Sequence, residues 1–239
     1  RLDMPANCCR EAFKLPDIAD RTPVYFVALQ LRDASGNALS DNFYWLASKD
    51  PADLASLDRL PAVRLKSSCQ VRREGRQWVA RVEVENPTEH VAMLVHLVLT
   101  KGPRGEEILP VSWDDNYFSL APGERREVCA RVAAGAAGEA PPSFEVGGWN
   151  IQTSYRCLGM HTSKGPFKVG RPVTVSATIA ETFLAGSRVT LSVDGEPAGS
   201  QWAWARGERS APLSFEITPS GRGPHQVALG AKTVTVEVE

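Results

Sequence analysis

The chain has 239 residues, and its 27 basic and 28 acidic side chains give a formal net charge of −1. This length predicts two domains and is too short for a (β/α)8 barrel of about 250 residues together with anything else. So small and mixed a charge gives no reason to expect nucleic acid or an anionic membrane as a partner. No segment approaches the roughly 20 apolar residues of a membrane-spanning helix.

The first predicted element is a β-hairpin. Its strands are VYFVALQLRD (residues 24–33) and ALSDNFYWLA (residues 38–47). They are joined through ASGN, in which Gly36 and Asn37 are expected to take the positive φ angles of a tight turn. The hairpin predicts that the chain begins with antiparallel sheet.

A short helix follows the hairpin and is predicted to begin at Pro51, with Asp50 as its N-cap. Beyond it, strand patterns recur about every 8 to 12 residues without helices between them, which is typical of a β-sandwich. WVARVEVEN (residues 78–86) alternates as a half-buried strand does, and AMLVHLVLT (residues 92–100) is apolar nearly throughout, which predicts a central strand.

A second all-β pattern begins after CLGMHTSKGPFKVG (residues 157–170), with a tight turn expected at Asp194-Gly195 and another at Gly230-Ala231. We therefore predict an all-β protein of two immunoglobulin-like or fibronectin-like β-sandwiches in tandem. The expected domains are residues 1–156, including an N-terminal extension, and residues 157–239.

Residue patterns for catalysis or metal binding are not found. The five cysteines form no C-x-x-C pair and have no histidines at zinc spacing. The sequence has no G-x-S-x-G, phosphate-binding or H-E-x-x-H motif. None of the four histidines supports a catalytic triad: His90, His96, His161 and His225. We expect no catalytic residue, metal or cofactor in this chain.

Asp41, Asp114 and Asp115 are the aspartates that most resemble a glycosidase acid pair. Such a pair holds two carboxyl groups about 5 to 10 Å apart across a sugar. Adjacent residues of a strand point to opposite faces, so Asp114 and Asp115 cannot converge on one bond within a regular strand. If the strand ends there, Asp115 is better placed to accept backbone N–H groups of the next turn.

Six tryptophans remain as candidates for sugar binding, because sugar rings stack their C–H faces on exposed aromatic rings. We expect Trp45, Trp78 and Trp149 to fill space between sheets. Trp202 and Trp204 lie two residues apart on one strand face, with Ala203 on the other. They are the candidate carbohydrate-stacking residues.

A hexapeptide pattern occurs twice, as DNFYWL (residues 41–46) and DNYFSL (residues 115–120). We interpret the two copies as strand segments of one sandwich, in which aromatic side chains alternate between faces and Asp-Asn binds backbone groups.

Several segments between residues 24 and 152 resemble the sandwich that follows the catalytic barrel in glycoside hydrolase family 2. The likeness is closest to exo-β-D-glucosaminidases, with plant-type endo-β-mannosidases next. The most specific segments are NFYWL, DNYFSLAPGE and GWN. Residues 167–239 look like an immunoglobulin-like module that often ends secreted bacterial enzymes.

The resemblance implies a non-catalytic C-terminal portion of a retaining glycosidase, most closely an exo-β-D-glucosaminidase acting on chitosan oligosaccharides. Both catalytic glutamates would lie on a barrel outside this sequence. The chain alone would not be an enzyme, and its partners would be the remaining domains or chains of the glycosidase and carbohydrate. Since the chain begins at Arg1 rather than Met, we expect it to be a piece of a longer protein.

Two alternatives stay open, a part of an endo-β-mannosidase or β-mannosidase, and a carbohydrate-binding or adhesion module. If this chain borders the substrate, the candidate rim residues are Trp113, Asp114 and Asp115, because their strand ends in a loop. A secreted or extracellular location is expected. Which sugar the parent enzyme cleaves is not encoded here, because that pocket would lie on the barrel.

Overall fold

The computed structural model describes residues 6–16, 21–49, 54–183, 186–205 and 209–239. The chain divides into two compact units, Arg1–Leu60 and Pro61–Glu239. The predicted domain bounds, 1–156 and 157–239, stay a prediction. Among the described helices, none is long and apolar enough to cross a membrane.

The first unit contains the predicted hairpin. Strands β1 (Val24–Arg32) and β2 (Ala38–Ala47) pair antiparallel. Gly36 has a φ of 89°, but Asn37 does not take the positive φ predicted for it. Asn37 instead donates from its backbone N and its side-chain Nδ2 to the Asp33 carboxylate, over 2.8 and 2.9 Å, which closes a longer turn.

A 3-10 helix, Ala55–Arg59, lies near the end of the first unit. Leu57 on this helix is 7% exposed and so provides a buried apolar contact. The predicted helix start at Pro51 and its cap Asp50 lie outside the described residues.

The second unit begins with a seven-stranded sandwich. The elements are β3 (Lys66–Glu74), β4 (Gln77–Glu85), β5 (Ala92–Thr100), β6 (Ser112–Trp113), β7 (Phe118–Leu120), β8 (Arg125–Ala133), α1 (Ala134–Ala137) and β9 (Ser143–Gly147). One sheet has the order β3-β4-β8-β6 and the other β7-β5-β9.

Alternation along β4 forms one wall of this sandwich's core. Ala80, Val82 and Val84 are all 0% exposed, as their spacing predicted. They pack with apolar residues of the facing sheet, including Leu97 and Leu99 of β5. The apolar strand β5 is central in its sheet, between β7 and β9, which was also predicted.

A second seven-stranded sandwich follows, with sheets β10-β11-β14 and β13-β12-β15-β16. It has its own apolar core, built from residues between Cys157 and Val238. The predicted all-β fold class of two immunoglobulin-like sandwiches is confirmed. The strands are β10 (Arg156–Thr162), β11 (Val173–Ala180), β12 (Ser187–Val193), β13 (Glu196–Ala203), β14 (Ala211–Ile217), β15 (Gly223–Leu229) and β16 (Lys232–Val238).

The turn between β12 and β13 has the predicted form. Asp194 and Gly195 have φ angles of 52° and 89°, and Val193 pairs with Glu196 across them. Two consecutive positive φ angles match the twist of a two-residue hairpin.

An ion-pair network joins the two sandwiches. Arg104, from the first, binds the Glu181 carboxylate over 2.9 Å and the Ser154 hydroxyl over 3.1 Å. Arg156 holds the other oxygen of Glu181 at 2.8 Å. The three charged side chains are each more than a third exposed, so they contribute more to orientation than to stability.

Asn150 connects separate segments of the first sandwich through its buried amide, which is 2% exposed. Its Oδ1 accepts from the Met93 N–H over 2.8 Å, and its Nδ2 donates to the carbonyls of Pro61 and Val91, also over 2.8 Å. Each bond satisfies a backbone group that would otherwise be buried without a partner.

We expect Asn150→Ala to lower the free energy of unfolding by about 3 kcal/mol, because three hydrogen bonds are lost and buried backbone groups are left unpaired. Urea unfolding followed by tryptophan fluorescence measures the loss. Gln152→Ala, an exposed side chain two residues away, is the matched control and should change stability by less than about 0.5 kcal/mol. Equal losses for the two variants would contradict this role for Asn150.

His225 and Asp194 form a titrating pair beside the β12–β13 turn. His225 Nδ1 lies 2.7 Å from the Asp194 carboxylate, and its Nε2 lies 3.0 Å from the Gly221 carbonyl. The hydrogen bond from His225, followed by one from the Gln226 N–H, lowers the pKa of Asp194. The same bond to Asp194, followed by that to Gly221, raises the pKa of His225.

The stability that this pair contributes should therefore depend on pH. The His225 contribution is complete below its unfolded pKa and is lost as pH rises through the raised folded value. The Asp194 contribution is lost as pH falls through its lowered folded value. We expect the difference in Tm between wild type and His225→Ala to be largest near about pH 5 and to shrink towards about pH 9. Thermal unfolding across this range tests it, and a difference independent of pH would refute it.

Candidate functional site

A groove lined mainly by aromatic side chains lies between the two sandwiches of the second unit. Its volume is about 400 Å3, within the range of small-ligand pockets. We call it the aromatic groove. Its principal side chains are Leu94, His96, Tyr117, Trp149, Phe183, Trp202 and Trp204.

Tyr117 reaches the groove because the side-chain amide of Asn116 forms the backbone hydrogen bonds that a neighbouring strand would otherwise form. The Asn116 Oδ1 accepts from the Leu97 N–H over 2.9 Å, and its Nδ2 donates to the Leu97 carbonyl over 3.0 Å. The chain then turns at Tyr117, whose φ is 58°, an unusual angle for a bulky residue. The Tyr117 ring stacks on His96, with centroids 4.2 Å apart and planes 19° apart.

His96 lies on the face of β5 that points away from the sandwich core. Phe183, from the second sandwich, meets its ring edge-on with centroids 5.6 Å apart. Burial lowers the pKa of His96, which favours the neutral imidazole. Gly147 leaves space for this contact, since a Cβ there would lie 2.3 Å from the Phe183 ring.

Three tryptophans form the other part of the aromatic groove. The rings of Trp202 and Trp204 lie 6.0 Å apart at 25°, and Trp149 lies 6.2 Å from Trp202 at 54°. Trp204 is 62% exposed. Gly186 brings the chain close to it, because a Cβ at Gly186 would lie 2.5 Å from Trp204 Nε1.

Trp202 and Trp204, the predicted stacking residues, are thus brought together, and Trp149 joins them. Trp149 was expected to fill core space, and so was Trp45. Both expectations are wrong, since Trp149 lines the aromatic groove and Trp45 is 37% exposed. Trp78 is 8% exposed and fills the core as predicted. Gly147 and Gly148 were the available signal, because β9 ends at Gly147 and Trp149 therefore lies outside the strand.

Trp113, Asp114 and Asp115 do not line the aromatic groove. Trp113 packs at the edge of the first sandwich's core. Asp114 Oδ1 accepts from the Cys129 N–H over 2.8 Å, and Asp115 pairs with Arg126 over 2.7 Å. The backbone-binding role expected of Asp115 therefore belongs to Asp114. That these three residues border a substrate stays a prediction.

The two hexapeptides have different structural roles, which corrects their interpretation as strands of one sandwich. DNFYWL lies wholly within β2 of the first unit, whereas DNYFSL supplies a turn and only then β7 in the second unit. Similar sequence does not give similar structure here, because Asn116 pairs with the backbone of Leu97 and forces the chain to turn.

Metal-binding clusters of three or more His, Cys, Asp or Glu side chains do not occur in the described part of the chain. All five cysteines are free thiols. The described side chains that line the aromatic groove offer stacking and hydrogen bonding.

Residues 42–151 match the family described as the exo-β-D-glucosaminidase immunoglobulin-fold domain. An exo-β-D-glucosaminidase of Arthroderma benhamiae is 29% identical over 156 residues, which cover 58% of this chain and 17% of that protein. An exo-β-D-glucosaminidase of Amycolatopsis orientalis is 28% identical over 163 residues, which cover 59% of this chain and 16% of that protein. The matched region thus spans less than a fifth of each relative's length.

Solved structures of the Amycolatopsis orientalis exo-chitosanase CsxA share the fold. One has a TM-score of 0.54 at 24% identity and covers 59% of this chain and 19% of that one. Another, of the same enzyme with a glucosamine-configured inhibitor, has a TM-score of 0.55 at 25% identity. The chain therefore carries an immunoglobulin-fold domain of the exo-β-D-glucosaminidase type, the family that its sequence motifs predicted.

Proposed function

We propose that this chain is a non-catalytic portion of a retaining exo-β-D-glucosaminidase that removes glucosamine from chitosan oligosaccharides. The observation that carries the proposal is the match of residues 42–151 to the immunoglobulin-fold domain of that family. The relatives carry the same name over proteins several times longer than the matched region. The chain would support or border an active site on a catalytic barrel, which is its proposed partner.

The positions of Asp114 and Asp115, which resemble a glycosidase acid pair in sequence, support a non-catalytic role. Asp114 is engaged by the Cys129 N–H and Asp115 by the Arg126 guanidinium, over 2.8 and 2.7 Å. A general acid of a glycosidase needs a carboxyl group whose protonated form is favoured by an apolar environment. The Asp115 side chain is 42% exposed and paired with Arg126, so it does not lie in such an environment.

Two other functions remain as alternatives. A part of an endo-β-mannosidase or β-mannosidase would use the same sandwich beside a different sugar pocket. A carbohydrate-binding module is favoured by one specific observation, the stacked rings of Trp202 and Trp204 in the aromatic groove, of which Trp204 is exposed. A secreted or extracellular location belongs to the proposal and rests on the resemblance to modules of secreted enzymes.

We expect this chain alone not to hydrolyse 4-nitrophenyl β-D-glucosaminide, and the longer protein that contains it to do so. The reason is that both carboxylates of the double displacement would lie on the barrel. Release of 4-nitrophenol measures both activities, with the β-D-mannoside as the control substrate for the mannosidase alternative.

Hydrolysis of the glucosaminide by the 239-residue chain alone would contradict the non-catalytic role. Hydrolysis of the mannoside but not the glucosaminide by the longer protein would favour the mannosidase alternative. Cleavage of neither substrate by the longer protein would leave the third class, a binding or adhesion module.

A further inference from the structure

We propose that the aromatic groove binds glucosamine units of a chitosan chain, as a site separate from any catalytic pocket. The choice of glucosamine rests on the proposed function, whereas the existence of the site rests on the structure of the groove. Trp202 and Trp204 would stack on the sugar, and His96 would hydrogen-bond it.

The exposed rings suit a sugar that carries an ammonium group. The side chain of Trp204 is 62% exposed and that of Tyr117 is 59% exposed. A ligand that covered these two rings would bury their apolar surface. Pyranose rings present apolar C–H faces to such rings. The negative faces of tryptophan and tyrosine also attract a cation, as in aromatic sites that recognise quaternary ammonium groups.

His96 supplies the polar group that such a site needs. Within the described part of the chain, its imidazole has ring contacts with Tyr117 and Phe183 but no hydrogen bond. The His96 nitrogens are not among the buried side-chain atoms that lack a hydrogen bond in the described residues, so they reach water, which a ligand group could replace. A sugar hydroxyl or amino group would fit, because small-ligand sites combine apolar walls with a few polar groups that fix orientation.

Other ligand classes fit the aromatic groove less well. An anionic ligand would require a cation, and none of the described residues that line the groove is lysine or arginine. The nearby Arg104 is already bound to Glu181 and Ser154. A purely aliphatic ligand would leave His96 unpaired, since it has no hydrogen-bonding group.

Backbone strain at Tyr117 gives the proposal a distinctive consequence. A φ of 58° is disfavoured for a bulky residue and is better tolerated by asparagine. Such strain often occurs at binding sites, where the function of a side chain outweighs its cost. Tyr117 is 59% exposed, so its ring contributes little to the core.

The test is tryptophan fluorescence and calorimetric titration of the 239-residue chain with fully deacetylated chitosan hexamer. We expect saturable binding that Trp204→Ala weakens by about tenfold or more, since one stacked ring is lost. Trp45→Ala, which changes an exposed tryptophan of the hairpin, is the matched control and should leave the affinity unchanged. Cellohexaose, which lacks the amino groups, should bind at least about tenfold more weakly.

Tyr117→Asn separates binding from stability. We expect it to weaken chitosan hexamer binding while the Tm stays the same or rises, because asparagine accepts the positive φ and the ring is lost. A side chain with only a structural role would lower the Tm when removed. Loss of affinity with an unchanged or higher Tm therefore supports the proposal.

Three results would overturn it: no binding of chitosan hexamer to the folded chain, full affinity in Trp204→Ala, or equal binding of cellohexaose. The proposal would also be overturned if substitution of the groove tryptophans released the catalytic portion but left the affinity for chitosan hexamer unchanged. These outcomes are independent of the hydrolysis assay. If the longer protein hydrolyses the glucosaminide but this chain does not bind chitosan hexamer, only the proposed binding site in the aromatic groove is refuted. If this chain binds the hexamer but the longer protein does not hydrolyse the glucosaminide, only the proposed glucosaminidase activity is refuted.

Discussion

The buried amide of Asn150 holds together the part of the first sandwich that faces the aromatic groove. It bonds to the backbone of Pro61, Val91 and Met93. The neighbouring Trp149 N–H donates to the Met93 carbonyl over 2.9 Å. The position of the Trp149 ring therefore depends on a buried polar contact one residue away, because the amide leaves that part of the backbone little freedom.

Strand β5 is buried or half-buried on both of its faces, which accounts for its apolar sequence. One face packs into the core of the first sandwich, and His96 on the other meets Phe183 of the second sandwich. Glycine at position 147 permits this approach, since any Cβ there would overlap the Phe183 ring. The second sandwich thus completes the aromatic groove, which neither sandwich forms by itself.

Sequence patterns predicted those features that depend on neighbours along the chain. The alternation of Ala80, Val82 and Val84 specified a buried face, and Asp194-Gly195 specified a tight turn. Prediction failed where a distant partner decided the outcome. Trp149 was assigned to the core because large aromatic residues usually fill cores, but its environment depends on Trp202, which lies 53 positions further along the numbered sequence.

The sequence by itself determined the fold class, the family of the domain and the proximity of Trp202 to Trp204, although Trp204 lies one residue beyond strand β13. Period-two alternation, turn residues and short motifs are local signals that survive without knowledge of the tertiary structure. Only the tertiary structure decided that Asp114 and Asp115 bind Cys129 and Arg126, and that Tyr117, His96 and three tryptophans share one groove. The physical reason is that these contacts join segments far apart in the chain, where packing of two sandwiches, rather than local spacing, sets which side chains meet.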